Sequence, residues 1–271
     1  MTLPPDLEDV PARVRALGLA LGHPLVFHPE TASTNDLAKE AGKSGAPHGT
    51  TFVADAQTHG RGRQGRAWVA APGEALLVSV LFRTECPLAR LPQLSLAVGL
   101  AVRDAVAEAL GDDTRALVKW PNDVWARGPG REPLRKVAGV LVESTLLGGR
   151  VESLVVGVGI NVATREFPEE LRDRATSLTL LGAPHVTRGD VLVALVRGLA
   201  HDVPRAAAHG LGPLHERLAR ACALTGSWLE TGDVAGRCEG IDRDGRLLVR
   251  GGDGTLARLV SGEVHVGALP R

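Results

Sequence analysis

The sequence has no tyrosine, and only four Phe and four Trp in 271 residues. A protein that grips single strands by stacking bases on aromatic platforms has little to build with here. There is no charge excess either: 31 Lys and Arg balance 31 Asp and Glu. That disfavours a protein coating nucleic acid or an anionic membrane, and no DNA-binding role is expected. Cysteine is sparse, and Cys86, Cys222 and Cys238 lie far apart. Such spacing fits neither a disulfide framework nor a C-x-x-C metal site, and reads as buried thiols in a reducing compartment. The longest apolar run, 94–102, falls well short of the ~18–20 residues that span a bilayer. The first residues, MTLPPDLEDVPARV, lack the basic and apolar regions of a signal peptide. No repeat of fixed period occurs. A cytoplasmic chain without membrane contact is expected.

What is present suits a globular fold. Hydrophobic residues make up 44% of the chain, too many for disorder at zero net charge. The length allows one large domain with a small appendage. Ser33 or Thr34 can cap a short helix over 33–42, with Asp36 placed as in a capping box. Strands are expected near 50–56, 75–82, 115–119, 137–147 and 151–158. Leu94, Val98, Val102, Val106 and Leu110 recur at four-residue steps and predict a helix over 91–110. Further helices are expected near 189–200 and 213–223. This mixture lacks a regular β-α-β rhythm and predicts an α+β fold around a mixed sheet. From about Gly226 the segments shorten. Turn signals stand at Thr231-Gly232-Asp233, 242–245 and 251–254, as in a small β-barrel. The expected organisation is a short N-terminal segment (1–32), a catalytic domain (33–223) and a barrel (224–271).

Two motifs mislead. Residues 60–65 match G-x-G-x-x-G, but a dinucleotide site needs a helix to follow, and Arg66-Ala67-Trp68 leads to Ala71-Pro72-Gly73 instead. Gly42-Lys43-Ser44 resembles the end of a phosphate loop, yet Leu37 stands where the first glycine is required.

The 60–68 loop still carries chemistry. Gly60, Gly62 and Gly65 interleave with Arg61, Arg63 and Arg66, and Trp68 follows. Glycine lets backbone N–H groups approach an anion, and arginine offers a planar charged fork. Downstream, Lys119-Trp120-Pro121-Asn122-Asp123 ends a strand in polar groups. Lys136 then opens the apolar run to Gly139 and Glu143. Gly157 and Gly159 precede Asn161, and glycines inside an apolar strand signal close approach by a ligand or another backbone.

Together these motifs resemble the biotin–protein ligases, over residues 28–271. The resemblance covers Ser33-Thr34-Asn35, Gln57, the 60–68 loop, 119–123, 136–139, 157–161 and Gly262-Glu263-Val264. It implies a catalytic domain like that of class II aminoacyl-tRNA synthetases and biotin/lipoate ligases, with a C-terminal SH3-like barrel. It also implies two steps: biotin and ATP form biotinyl-adenylate, and a lysine of a biotin carboxyl carrier protein domain then takes the biotin. By resemblance Ser33, Thr34, Asn35, Gln57, Gly60, Arg61, Gly62, Lys136 and Gly139 bind biotin. Arg63, Arg66, Trp68, Asn122, Lys136 and Asn161 face the nucleotide. Arg63, Arg66 and Lys136 would neutralise charge in the first step, and Asp123 would deprotonate the acceptor lysine in the second. Mg²⁺ is expected with ATP, but no carboxylate pair marks its ligands. Only 32 residues precede Ser33, so no DNA-binding winged helix is expected. A homodimer remains open, and His59 and the 126–135 loop are left without a role. Lipoate and octanoyl transferases share a related fold but expect a different glycine loop. A non-catalytic sensor would have no need of Arg63, Arg66, Asp123 and Lys136 together.

Overall fold

The computed structural model describes residues 2–130, 132–147, 150–232 and 234–267. Arg131, Asp233 of the first turn signal and the last four residues of the 224–271 segment lie outside them. The helices are α1 (Val10–Ala16), α2 (Thr34–Lys43), α3 (Leu91–Leu110), α4 (Arg188–His209) and α5 (His215–Ala221). The strands of the main sheet are β1 (Leu25–Thr31), β2 (Thr51–Gln57), β3 (Ala75–Arg83), β4 (Ala116–Lys119), β5 (Asp123–Ala126), β6 (Arg135–Leu147) and β7 (Arg150–Asn161). They run in the order β1-β2-β3-β7-β6-β5-β4, with β1 parallel to β2 and the other neighbours antiparallel. The fold is α+β around a mixed sheet, as the sequence predicts.

Strand alternation divides the molecule. On β3, Leu76, Val78, Val80 and Phe82 join the main core beneath α3 and α4. Leu81 points the other way into a small cluster with Ala38, Phe52 and Val155 under α2. Leu77 and Ser79 share that second face, where the cleft forms. Helix α3 is apolar nearly all round because the sheet and α4 cover it, and Gly111 ends it in the left-handed conformation.

Three elements depart from the sequence reading. Residues 25–31, expected within the short N-terminal segment, form β1 of the main sheet. His28 and Pro29 hide its strand pattern, and an edge strand tolerates proline. The same segment is tied down by buried Arg188, which bonds both oxygens of Asp6 and one of Asp55. Helix α4 starts in a capping box of Thr187 and Asp190 but continues nine residues beyond Ala200, through Pro204. Val203, Ala206 and Ala207 stay buried along that extension. Their burial offsets a proline penalty of about 3 kcal/mol. Finally, Asp123, expected at the polar exit of a strand, opens a further strand, β5.

The C-terminal part is a five-stranded antiparallel sheet in the order β11-β10-β9-β8-β12. Its strands are β8 (Trp228–Thr231), β9 (Val234–Ile241), β10 (Leu247–Arg250), β11 (Leu256–Leu259) and β12 (His265–Val266). Trp120, 1% exposed, donates its indole N–H to the Gly245 carbonyl in the β9–β10 turn at 3.0 Å. Val118 bridges Cys222, and Ala223 N–H donates to Val118 O at 2.9 Å, so β4 anchors both parts.

Candidate active site

A cleft of about 920 Å³ opens between the second face of the main sheet and residues 262–266 of the barrel. Register explains its floor. Leu77, Gly159, Gly139, Asp123 and Lys119 stand opposite one another on five neighbouring strands and form one row. Ser79, Gly157 and Leu141 form a second row two residues along.

The glycines serve side chains of the chain itself. A Cβ on Gly159 would lie 2.6 Å from Trp68 Cε2, and one on Gly139 would lie 3.0 Å from Trp68 Cζ3. A Cβ on Gly157 would lie 2.1 Å from Asn35 Oδ1. The sequence signals close approach at these glycines; the approaching groups are an indole and an amide.

At the α2 end the cleft-facing side chains Ser33, Thr34, Asn35 and Gln57 are neutral, and the network behind them is largely satisfied. Ser33 and Asp36 make no capping box, because Ser33 forms no side-chain cap. Gln57 Oε1 caps instead, accepting from Thr34 N–H at 2.8 Å and Thr34 Oγ1 at 3.1 Å. Ser79 Oγ lies 2.8 Å from Thr34 Oγ1 and donates to Asn35 Oδ1 at 2.6 Å. Asn35 Nδ2 donates to Glu143 Oε2 at 2.6 Å. Lys39 also pairs with Glu143, and Asp36 is left for Arg61. Gln57 thereby commits its oxygen and keeps its amide N–H groups, while Ser33 lines the cleft without a cap to make.

The 60–68 loop closes on itself. Trp68 N–H donates to Gly60 O (2.9 Å), Gly62 N–H donates to Arg66 O (2.7 Å), and Arg61 bridges Ala67. Only a three-residue 3₁₀ turn forms at Arg63–Gly65, which is why no dinucleotide helix follows. Gly60, the first residue of the loop, lies outside the lining with its carbonyl engaged; the other expected site residues all line the cleft. His59 pairs with the Thr58 hydroxyl (3.0 Å) on the exposed side.

The charged end is built differently. Lys136 Nζ lies 2.7 Å from Asp123 Oδ1 and 5.5 Å from the centre of a Trp68 ring. Arg66 pairs with Glu263 of the barrel segment; this bond raises the Arg66 pKa and holds the Glu263 carboxyl below its ordinary range. Asn122 Nδ2 donates to Val140 O (2.9 Å) and Asn161 Nδ2 to Thr176 O (3.0 Å). Both amides are thus half spent on positioning backbone. Two features escaped the sequence reading. Trp68 Nε1 is a buried donor without a partner. Lys119 is 8% exposed and stacks 5.6 Å from a Trp125 ring; burial lowers its pKa, with Asp123 and Glu263 pulling the other way.

Among the described residues no group of three His, Cys, Asp or Glu could hold a metal. Asp123 and Glu263, which line the cleft with Asp173, are tied to Lys136 and Arg66, and Asp36 and Glu143 at the α2 end are tied to Arg61 and Lys39. No described helix is long and apolar enough to cross a membrane.

This arrangement joins a neutral polar slot to a cation-rich mouth, the layout of an acyl-activating enzyme. Residues 27–161 match the biotin/lipoate A/B protein ligase family, and 220–267 match the biotin protein ligase C-terminal domain. The chain is 34% identical to a biotin–[acetyl-CoA-carboxylase] ligase of Mycobacterium tuberculosis, over 97% of each chain. It is 33% identical to the bifunctional ligase/repressor BirA of Bacillus subtilis, over 91% of this chain and 75% of that one. The Aquifex aeolicus biotin protein ligase, solved with biotin and ATP, superposes with a TM-score of 0.74. It has 31% identity, covering 90% of this chain and 98% of that one. The chain belongs to the biotin protein ligase family.

Proposed function

We propose that this protein joins biotin to ATP as biotinyl-5′-AMP and passes the biotin to a lysine of a carboxyl carrier protein domain. Family membership supports the activity. The observation that carries the residue assignment is the Lys136–Asp123 pair at 2.7 Å, set beside the free amide of Gln57 and the loop arginines.

The neutral slot of Ser33, Thr34 and Gln57 suits a ureido head, which needs a few hydrogen bonds in an otherwise apolar setting. Asn35 holds the slot open rather than reading the ligand, since its carboxamide is bonded on both sides. The biotin carboxylate then reaches the Lys136 end of the floor. The obstacle in the first step is an anion attacking an anion. Arg63, Arg66 and Lys136 neutralise the phosphate, each charge-assisted bond contributing roughly 1.5–3 kcal/mol. Trp68 forms the apolar wall beside the adenosine, with Asn122 and Asn161 fixing the strands beneath.

Taking up an anion draws Lys136 away from Asp123. The freed carboxylate can then accept a proton from the incoming lysine amine, only about 1 in 2,500 of which is neutral at pH 7. The ion pair thus links the two steps: the cation serves adenylation, and its partner serves transfer. The described residues bring no three acids or histidines together there, and Asp123 and Glu263 are already paired, so they do not form a resident Mg²⁺ site. Mg²⁺ fits as a counterion carried on the nucleotide oxygens, and no step here depends on a protein-held metal.

The test is biotin- and ATP-dependent labelling of a purified carrier domain, read by mass spectrometry. A gain of one biotin that requires both substrates supports the reading. Absence of labelling with a carrier that another ligase modifies refutes it.

A further inference from the structure

The cations of the cleft are not equivalent. Arg61 is paired with Asp36, Arg66 with Glu263 and Lys136 with Asp123, while Arg63 forms no ion pair among the described residues but is only half-buried. Among the described residues, Lys119 has neither an ion pair nor a hydrogen bond at its ammonium, although only 8% of the residue is exposed. A nearly buried cation without a counter-ion is costly. Here a Trp125 ring 5.6 Å away offers only partial compensation. The side chain lines the cleft, so the missing anion can come from a ligand.

Position identifies which anion. Lys119 closes the floor row on β4, two strands beyond Gly139, a distance of about 10 Å at the usual strand spacing. The neutral slot lies at the opposite end, over β3 and β7. A single carboxylate reaching from that slot meets Lys136 first. The nucleotide brings several negative charges on an extended chain and needs more cations than the carboxylate does. We propose that Lys119 is a further substrate-contacting residue of the adenylation step, its ammonium taking a phosphate oxygen of ATP. This rests on the function proposed above.

The groups facing Lys119 are Asp123 on β5, Lys136 on β6, Arg66 on the glycine loop and Glu263 on the barrel segment. Desolvation outweighs the two acids and lowers its pKa. The proton on Lys119 is therefore lost at a lower pH than that of an ordinary lysine, and its hold on a phosphate should fade as pH rises through that value.

The test uses the intact chain and a non-hydrolysable ATP analogue, with binding measured by calorimetry for wild type, Lys119→Met and Lys119→Arg. The expected results are roughly tenfold to hundredfold weaker analogue binding for Lys119→Met and unchanged biotin affinity. Lys119→Arg should recover most of the binding and keep it at alkaline pH, where wild type declines. Analogue affinity within twofold of wild type in a folded Lys119→Met protein overturns the proposal. So does an equal loss of biotin binding, or an arginine variant that declines with pH as wild type does. Analogue binding does not require biotin transfer. Failure of the wild type to label a carrier would refute the proposed function while leaving this outcome separately readable.

Discussion

The two ends of the cleft are built on opposite principles. At the α2 end nearly every polar atom already has a partner: Gln57 caps Thr34, Ser79 supports Asn35, and Asn35 leans on Glu143. At the Trp68 end partners are missing or exchangeable. The indole N–H is unsatisfied, Lys119 is unpaired, and Lys136 and Arg66 hold acids that a phosphate can displace. A neutral ligand is best met by a rigid frame with a few open hydrogen-bonding sites. A highly charged one is best met by cations whose counter-ions can be exchanged.

Four changes would break or sharpen that contrast. Asp123→Ala should slow transfer from preformed biotinyl-adenylate by about 10²–10⁴-fold, the range of a lost general base, while adenylate still forms. Single-turnover measurement of each half-reaction checks this; an unimpaired transfer step removes Asp123 from its role. Lys136→Ala should cut biotin-dependent pyrophosphate exchange by about 10²–10³-fold while biotin affinity changes only a few-fold. Equal losses in both would mean that the two ends are not independent.

Gly157→Ala tests the neutral end, since the new methyl meets Asn35 Oδ1. It should cost about 1–3 kcal/mol of stability and weaken biotin binding more than nucleotide binding. Thermal unfolding and calorimetry with each ligand would show it, and a biotin affinity equal to wild type would count against the frame. The smallest effect is expected for Glu263→Gln. Arg66 holds the Glu263 carboxyl below its ordinary value. The pair therefore contributes above the unfolded value near pH 4.3 and is lost as pH falls through the lower folded one. Because Arg66 is largely exposed and Glu263 partly so, the contribution is at most about 1 kcal/mol. A melting-point difference at pH 7 that persists at pH 3 would contradict it.

Much of this was legible in the sequence. The four-residue rhythm of α3 and the apolar runs of β3, β6 and β7 carry their own signals, because α3, β3 and β7 are buried nearly throughout and β6 joins the core through Val137, Ala138 and Val140. The motifs fall where the register brings them together. What escaped depends on partners distant in sequence. Gln57 takes the cap that Ser33 and Asp36 would make by local rules, because its amide arrives from the end of β2. The glycines announce close approach but not that Trp68 and Asn35 supply it. Lys119 reads as one more strand-end lysine until the barrel segment and Trp125 are seen to enclose it. β1 is hidden by a proline that an edge strand accommodates.

The hydrogen bond from Trp120 to Gly245 bears on how the protein can be cut and rejoined. The barrel looks detachable, yet it supplies the acceptor for an indole buried at the turn that delivers Asn122 and Asp123. Cleaving the chain near residue 224 would strand that donor and unseat the turn, so a truncated enzyme should lose precision at the mouth of the site. The same contact makes 1–223 and 224–271 natural halves for a split reporter, in which reassembly of the barrel would be read out as restored chemistry some distance away.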